Sequence, residues 1–554
     1  MKSWLQALSI ILVVCTRLTA QTGNTVFYLP VLQAMDGSAL GIAFSNPTAA
    51  DISVTLTART YDGTLVTGPN VTNPKSMVVP ASGQRANQTV EIFGTGIAGK
   101  SGWVELQSNS PSLKGFFLAF DGKLTYIDGA AFQSSPAIRL IFPKVESSTI
   151  ISFAYTGSTA RQASIGLYGN DGTLFARKVV DLTSHSGFSR PVTEIAPAAA
   201  SFEGYAIVEL IGAGDGLVGF ETYRGLSDIA ALSGVADTSL QKTGYLAYLA
   251  TRSGYASTLS LVNPTPQSQT VRITAAGLEA NGTPRNPASV SVDRTIPAFG
   301  RLEETADDLF DLSGDALISG YIRWDVQSST SGFIGVLDYG TTDGVVLSAV
   351  TAPPAALKDI YFSHIAQGQG YYTGLAVLNP GNSAASVTVE AFNASGVSLG
   401  KTTFPVDGGG RKAKLIRELI PQITNQLSGY IHVTSTVPVF ALELFGSTSF
   451  TFLANVSGQG ENAGQPPIIP VGASAPFLVS LSTYNVQKNS TVTLDVTGNG
   501  FTRDSVVLID SVPLPTTFLS STSLRVTYTA ATSGTRLIAV WKPGAGNRTA
   551  PHLV

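Results

Sequence analysis

One opening-strand pattern recurs along the chain and sets what it can fold into. The pattern reads YLPVLQAMDGSALGIAFSNP from Tyr28, YLAYLATRSGYASTLSLVNP from Tyr245 and YFSHIAQGQGYYTGLAVLNP from Tyr361. The tyrosine and the closing Asn-Pro are equally far apart in these three copies. A more diverged copy, without the Asn-Pro, begins at Ile141. Such recurrence predicts a series of modules of one fold, so four modules are expected from these starts.

Each copy continues with β signals. An alternating strand such as Ile52–Leu56 places one face on a core and the other in water. A glycine turn follows at Gly63, Gly172, Gly282 and Gly396, typical of a hairpin. Later in each copy a glycine precedes an aromatic residue, which we interpret as core packing beside a close backbone approach. The four aromatic residues are Trp103, Tyr205, Tyr321 and Tyr430.

Several strands and no long helix in each copy predict an all-β fold, a tandem array of β-sandwich (immunoglobulin-like) domains. Two polar segments, Arg301–Phe310 and Arg411–Ile420, have a helix-like pattern. A propeller with two blades per copy is the rival, but the copies show no half-copy similarity. The two differ in size: a compact chain of this length has a radius of gyration of about 24 Å, and a five-unit rod roughly twice that.

The N-terminus has the pattern of a secretory signal peptide. Lys2 precedes an apolar run from Leu5 to Val14, and Leu18–Ala20 is a suitable cleavage site. Cys15, the single cysteine, ends a stretch that resembles a bacterial lipoprotein box, although Val14 stands where such boxes have a small residue. We therefore expect an exported mature chain from Gln21 without disulfides, secreted or on the cell surface, with no integral membrane segment.

The composition limits the classes of partner that this chain can bind. Only 13% of residues are charged, 44% are apolar, and the formal net charge is −3. This balance gives no basic surface for nucleic acid, so we expect no nucleic-acid partner. The partner class that remains is an extracellular protein or a polysaccharide.

The C-terminal segment differs from the copies. Its strands include Val492–Phe501, Ser505–Ile509 and Leu537–Gly544, and Leu514–Leu524 reads LPTTFLSSTSL. These elements resemble the IPT/TIG family, with Thr483 in place of a usual proline and Lys542 in place of a common asparagine. The resemblance implies an immunoglobulin-like fold, and bacterial members of the family occur in secreted and surface proteins. The upstream copies also resemble uncharacterised repeats found beside such domains in bacterial secreted proteins, which implies architecture only.

Residues for catalysis are sparse. The histidines are His185, His364, His432 and His552; His364 and His432 fall in the fourth copy, but no third zinc ligand is evident. Six acidic residues lie between Glu303 and Asp315 without the spacing of a calcium loop, and we interpret them as the solvated face of a short helix. We therefore predict no catalytic residues, no metal ligands, no cofactor and no enzyme activity.

The predicted organisation has seven segments. They are a signal peptide at 1–20, β-sandwich repeats at 21–136, 137–240, 241–355 and 356–456, a Gly/Pro-rich linker at 457–475, and an IPT/TIG domain at 476–554.

Three functions remain open for this organisation. The first is a non-catalytic extracellular or cell-surface scaffold for adhesion. The second is a carbohydrate-binding protein that uses aromatic residues at variable positions, Tyr248, Tyr371 and Tyr372. The third, a hydrolase with an unfamiliar site, requires a cluster of buried carboxylates.

Overall fold

The computed structural model describes residues 24–35, 37–212, 215–328, 331–460, 476–543 and 548–553. The predicted signal peptide with Cys15, and residues 461–475 of the predicted linker, lie outside the described residues. Within them the chain is almost entirely strand, arranged in paired sheets. The predicted all-β class of sandwich units is confirmed, while the predicted segment boundaries stay predictions.

The first sheet pair joins an outer sheet of order β1-β6-β3-β4 to an inner sheet of order β5-β2-β7-β8. Residues Ile52, Val54, Leu56 and Ala58 alternate into its core, as the period-two pattern predicts. Its elements are β1 (Thr25–Leu29), β2 (Ala39–Ser45), β3 (Ile52–Arg59), β4 (Lys75–Val79), β5 (Gln84–Gln88), α1 (Thr89–Phe93), a 3-10 turn (Thr95–Ile97), β6 (Trp103–Ser108), β7 (Lys114–Phe120) and β8 (Ile127–Ala131).

The second sheet pair has an outer sheet of order β12-β11-β14-β9-β17 and an inner sheet of order β13-β10-β15-β16. Its elements are β9 (Arg139–Glu146), β10 (Ile150–Tyr155), β11 (Arg161–Gly169), β12 (Leu174–Leu182), β13 (Gly187–Pro191), α2 (Val192–Ile195), a 3-10 turn (Pro197–Ser201), β14 (Glu203–Ile211), β15 (Leu217–Arg224), β16 (Ile229–Ser233), β17 (Val235–Ala236) and a 3-10 turn (Asp237–Ser239).

The third sheet pair has an outer sheet of order β18-β24-β20, in which β21 and β22 both pair with β20, and an inner sheet of order β23-β19-β25-β26. Its elements are β18 (Thr243–Thr251), β19 (Tyr255–Val262), β20 (Gln269–Ala280), β21 (Thr283–Pro284), β22 (Ser289–Ile296), β23 (Arg301–Thr305), α3 (Ala306–Phe310), β24 (Ile318–Val326), β25 (Ile334–Thr341) and β26 (Leu347–Thr351).

In the fourth sheet pair one long strand, β32, serves both sheets. Its first part pairs with β27 and β29, and its second part pairs with β28 and β33. The elements are β27 (Leu357–Phe362), β28 (Tyr371–Leu378), β29 (Ala385–Phe392), β30 (Ser398–Val406), β31 (Arg411–Leu415), α4 (Ile416–Leu419), β32 (Tyr430–Ser447) and β33 (Leu453–Val456).

The two segments predicted to be helix-like are helical only at their ends. Arg301–Thr305 and Arg411–Leu415 are edge strands of the inner sheets, and a single helical turn follows each of them. Both strands carry mostly polar side chains, and most of these are partly buried, so the composition resembles that of a polar helix face although the backbone is extended. The prediction of a helix over the full segments is therefore wrong.

The recurring Asn-Pro is explained by a buried amide. The side-chain nitrogen of Asn46 donates to the carbonyls of Ala50, Val79 and Pro80 at 2.7–3.2 Å. Asn263 and Asn379 make corresponding bonds. Because a buried carbonyl without a donor is costly, this position requires an amide that reaches several carbonyls at once.

The last strands of the four inner sheets meet at the centre of the molecule. Strand β8 packs against β16, β16 against β26, β26 against β33, and β33 against β8. The sheet pairs therefore close into a ring, and the extended rod expected for a tandem array is wrong for this part of the chain. The arrangement also differs from the rival propeller, because each copy contributes one sheet to the centre and not two blades.

Two buried aspartates join all four sheet pairs at this centre. The Asp128 carboxylate accepts N–H bonds from Gly129, Ala231 and Asn455 at 2.9–3.2 Å and a hydroxyl bond from Ser348 at 3.2 Å. The Asp228 carboxylate accepts N–H bonds from the first residues of the four central strands, at 2.9–3.4 Å. These donors are Ile127, Ile229, Leu347 and Leu453.

The four shared aromatic residues close the ring at its boundaries. Each is buried, and each donates a hydrogen bond to a turn carbonyl of the next sheet pair. The donor and acceptor pairs are Trp103 and His185 (3.0 Å), Tyr205 and Phe299 (2.8 Å), Tyr321 and Gly409 (2.9 Å), and Tyr430 and Ser82 (2.9 Å). These residues therefore pack between neighbouring copies as well as within their own.

The C-terminal unit is a sandwich of two four-stranded sheets, of order β34-β35-β39-β38 and β37-β36-β40-β41. Thr483 lies in the turn after β34, where its hydroxyl donates to Asn485. The strands are β34 (Phe477–Leu481), β35 (Thr491–Asn499), β36 (Val506–Ile509), β37 (Val512–Leu514), β38 (Thr516–Ser520), β39 (Ser523–Thr529), β40 (Leu537–Trp541) and β41 (His552–Leu553).

This unit is docked on the second sheet pair. Arg548 forms a bidentate pair with Glu209, at 3.1 and 3.2 Å, and both side chains are buried. Tyr168 and Ser511 share a hydroxyl bond of 2.7 Å, and Trp541 packs into the same contact. Because removing one partner of a buried pair leaves an unpaired charge, this contact holds the unit in place.

Tyr430→Phe tests ring closure. It removes the donor to the Ser82 carbonyl and leaves that partly buried acceptor unpaired, so we expect the free energy of unfolding to fall by about 1–2 kcal/mol. Urea denaturation measures the change. Tyr371→Phe is the matched control, because no described residue hydrogen-bonds to the Tyr371 hydroxyl. Equal stability of the two variants would contradict the closure role.

Asp228→Asn tests the ring centre through pH. Burial, against the backbone N–H groups, raises the Asp228 pKa to about 7. The folded state therefore binds more protons than the unfolded state between about pH 4 and pH 7, and the stability from this group falls as the pH rises through that window. We expect a higher urea midpoint at pH 5 than at pH 8.

The variant isolates this contribution. Asparagine does not titrate, so the difference between the two pH values should shrink in Asp228→Asn. Stability at both pH values should also fall, by on the order of 1–3 kcal/mol, because an amide NH₂ group would face backbone N–H donors. An unchanged pH difference would show that other groups cause it.

Candidate functional site

The histidines are placed apart and have separate partners. His364 Nδ1 lies 2.7 Å from Glu443, and His432 Nε2 lies 3.0 Å from Asp359, with its ring stacked on Tyr361. Burial, followed by the Arg59 charge, lowers the pKa of His185. Among the described residues no group of three or more His, Cys, Asp or Glu side chains is placed to hold a metal ion.

The acidic residues after Glu303 also have separate partners. Burial tends to raise the pKa of Glu303, but Arg301 and Lys144 hold it below its usual value. Glu304 pairs with Arg294 at 2.8 Å, and Asp307 pairs with Arg252 at 2.9 Å. The interpretation as one solvated helix face is wrong for Glu303 and Glu304, which lie on β23, with Glu303 in a partly buried ion-pair network.

Buried carboxylates of the kind that the hydrolase hypothesis requires occur at the ring centre. Burial raises the pKa of Asp128 well above its usual value, and Asp228 is shifted in the same direction. Both side chains are inaccessible, and their oxygens already accept backbone donors from four directions. A carboxylate enclosed and bonded in this way holds strands together and has no room for a substrate.

The tyrosines at variable positions give a different result. Tyr248 and Tyr372 line one cleft of about 570 Å³ between the third and fourth sheet pairs. Tyr371 does not line it, and its ring instead packs against Phe452 with a centroid separation of 6.2 Å. The structure therefore brings together two of the three tyrosines that the sequence nominates.

Small residues open the cleft. On β28, Tyr372, Gly374 and Ala376 lie on alternate positions and face the cleft, and Ala413 lies beside them on β31. A Cβ atom at Gly374 would meet no atom closer than 3.6 Å. Because these side chains are small, they do not fill the space in front of the inner sheet of the fourth pair.

The opposite wall is aromatic. Tyr248, Tyr255 and Tyr339 of the third sheet pair line it, and Phe450 lies near Tyr255 with 48% of its surface exposed. The Tyr339 hydroxyl donates to the Tyr248 carbonyl at 2.8 Å, which fixes the buried end of this wall. The cleft thus presents tyrosine rings and one exposed phenylalanine, and aliphatic residues such as Leu317, Val346 and Leu442 complete the lining.

Three tyrosine hydroxyls of the cleft are free. No residue in the described part of the chain hydrogen-bonds to the hydroxyls of Tyr248, Tyr255 or Tyr372. Burial, and then the nearness of Tyr255 and Tyr248, raises the pKa of Tyr372 to about 12. The Tyr372 hydroxyl is therefore a neutral donor and acceptor at physiological pH.

Charged side chains stay at one side of the cleft. Lys414, Arg417 and Glu418 line it from β31 and α4, with Lys414 and Glu418 3.8 Å apart. The other lining residues are uncharged. This arrangement suits a ligand with an uncharged body.

Arg411 supports Tyr248 from behind. The guanidinium lies 5.2 Å from the centre of the Tyr248 ring, its side chain is 4% exposed, and burial lowers its pKa. Nη2 donates to Ser319 at 3.1 Å and to Glu279 at 3.5 Å, while Nε and Nη1 have no hydrogen-bond partner among the described residues. Arg411 therefore supports the wall mainly by packing and stacking.

The sequence interpretation missed Tyr255, Tyr339 and Phe450. Tyr255 occupies the position in its copy that Tyr371 occupies in the fourth, but the sequence analysis nominated only Tyr371. Only the arrangement of the copies decides which of them faces a neighbour.

Comparison with known proteins identifies the C-terminal unit. Residues 476–552 match the family model of the IPT/TIG domain, which confirms the resemblance found in the sequence. No curated protein matches the chain. A solved structure described as a "tetra-tandem repeat in extending region of large adhesion protein" is 12% identical over 76% of this chain and 99% of that chain. Its TM-score is 0.10, too low to support any inference about fold or function.

In the described ranges, no helix has the length and apolar character needed to cross a bilayer.

Arg411 variants test the support of the cleft wall. Arg411→Met keeps most of the packing volume and removes two unpartnered nitrogens together with the Nη2 bonds to Ser319 and Glu279, so we expect a loss in unfolding free energy of about 1 kcal/mol. Arg411→Ala leaves a cavity under Tyr248, and we expect a loss of about 2–3 kcal/mol. Urea denaturation compares them, and equal losses would show that the charge itself supports the wall.

Proposed function

We propose that this protein is a non-catalytic, exported scaffold that presents binding faces outside the cell or at its surface, in adhesion or matrix attachment. The observation that supports the proposal is the closed ring. Four sheet pairs are linked at every boundary by a buried aromatic donor and at the centre by two shared carboxylates. Such cross-linking fixes the relative positions of surfaces that lie on different copies.

The side chains favour binding over catalysis. The histidines at positions 364 and 432 are each engaged by one carboxylate, and the buried aspartates at the centre are enclosed by backbone donors. A nucleophile and a base within reach of each other and of a bound molecule are the usual sign of an enzyme. The cleft between the third and fourth sheet pairs offers hydroxyls and rings, which are groups that bind.

The alternative hypothesis, a carbohydrate-binding protein, is compatible with the same scaffold. Its support is specific: two of the tyrosines nominated for sugar contact lie in one cleft.

Fractionation and cell binding test the scaffold function. Antibody detection should find the native protein in the medium or on intact cells. The purified chain from Gln21 should sediment saturably with intact bacterial cells or with their extracellular matrix. Protein found only in the cytoplasm, or absence of saturable binding to both materials, would overturn the proposal.

A ring variant serves as the matched control. Tyr430→Ala removes the closing aromatic at one boundary, whereas Tyr371→Phe leaves all four in place. If fixed surfaces on different copies act together, the first variant should bind cells more weakly and the second should bind like the unmodified chain. Equal binding would contradict the role of closure.

A further inference from the structure

We propose that the tyrosine cleft between the third and fourth sheet pairs binds a neutral hexopyranose glycan. This inference deepens the scaffold function, on which it rests, by naming a ligand class and the residues that contact it. The cleft volume of about 570 Å³ lies within the usual range for ligand sites and leaves room for a short oligosaccharide.

The free hydroxyls select against a purely apolar occupant. Tyr248, Tyr255 and Tyr372 each present a hydroxyl without a partner in the described part of the chain. A fatty acyl chain would bury these groups unpaired, which is unfavourable. A sugar brings hydroxyls of its own, which act as both donors and acceptors and can pair with all three.

The rings supply the complementary surface. A pyranose has an apolar C–H face, which packs on an aromatic ring while its hydroxyls point outward. Tyrosine combines a flat apolar body with a polar tip, so the tyrosines among the lining residues match both parts of such a molecule. Phe450, half-exposed beside Tyr255, extends this surface toward solvent.

Charge favours a neutral glycan. The charged lining residues are Lys414, Arg417 and Glu418, and the remaining lining is uncharged. A carboxylate or sulfate deep in the cleft would lose its hydration without a buried cation among the lining residues.

A peptide strand fits the walls less well. Peptides that bind by strand addition need a free sheet edge with unpaired backbone groups. Gly374 and Ala376 lie on a strand that is paired on both sides, and the edge strands β18 and β31 contribute the Tyr248 ring and the charged Lys414 side chain to the lining.

Calorimetric titration with defined oligosaccharides tests the inference. The purified chain from Gln21 is titrated with cellohexaose, mannohexaose, chitohexaose and maltohexaose, and with decanoate as an apolar probe. We expect saturable binding of at least one hexaose. No binding of any hexaose at millimolar concentrations would overturn the proposal, as would binding of decanoate alone.

Two cleft variants and a neighbouring control locate the site. Tyr372→Phe removes one hydroxyl and should weaken binding roughly three- to tenfold. Gly374→Leu places a side chain in the open space of the cleft and should weaken binding by about tenfold or more. Tyr371→Phe changes an adjacent tyrosine outside the cleft and should bind like the unmodified chain.

The same variants define the results that would contradict the proposal. Hexaose binding that Gly374→Leu leaves unchanged would place the site elsewhere and overturn the inference, provided that the melting temperature shows the variant to be folded. Retention of the protein on cells without hexaose binding would overturn only the proposal of a glycan ligand. Absence of both cell retention and hexaose binding would overturn the scaffold function as well.

Discussion

The structure depends on a hydrogen bond repeated at four boundaries, from a buried aromatic side chain of one sheet pair to a turn carbonyl of the next. Its acceptors, at Ser82, His185, Phe299 and Gly409, all have positive φ, so the turn itself is shaped to direct a carbonyl at the neighbour. Because the fourth aromatic, Tyr430, reaches back to the first sheet pair, the series closes. A closed series leaves no terminal copy with an uncovered inner sheet, which explains why the chain does not extend as a rod.

The two aspartates at the ring centre fix the positions of the central strands, but burying their carboxylates costs stability. Each central aspartate replaces water with backbone donors from several sheet pairs, and burial still raises the pKa of both carboxyl groups. The carboxylates therefore fix the register of four separate strands at some expense of stability above neutral pH. Neither aspartate recurs at the corresponding position of the other copies. Ser348 occupies the place of Asp128 in the third copy, and Tyr126 occupies the place of Asp228 in the first copy. The centre is thus specified once, by two residues that serve all four copies.

What the sequence predicts here is local. Period-two alternation and hairpin glycines gave strands such as Ile52–Arg59 and the all-β class, because these signals act within one copy. Contacts between copies leave no periodic signal. Trp103 was interpreted as a core residue, and its partner across the boundary lies 82 residues further along the chain. The sequence predicted only part of the cleft for the same reason. Tyr255 and Tyr371 are at equivalent positions of their copies, and only the packing between copies places Tyr255 in the cleft and Tyr371 outside it.

The cleft lies where the boundaries differ. At three boundaries the hairpin glycine touches the next sheet pair, since a Cβ atom at Gly63, Gly172 or Gly396 would collide with a carbonyl there. At the boundary between the third and fourth pairs, a Cβ atom at Gly282 would meet nothing within 4 Å. The looser boundary is also the one lined by Gly374, Ala376 and Ala413. The ring of related copies thus keeps the aromatic hydrogen bond at all four boundaries and packs more loosely at the one that contains the cleft.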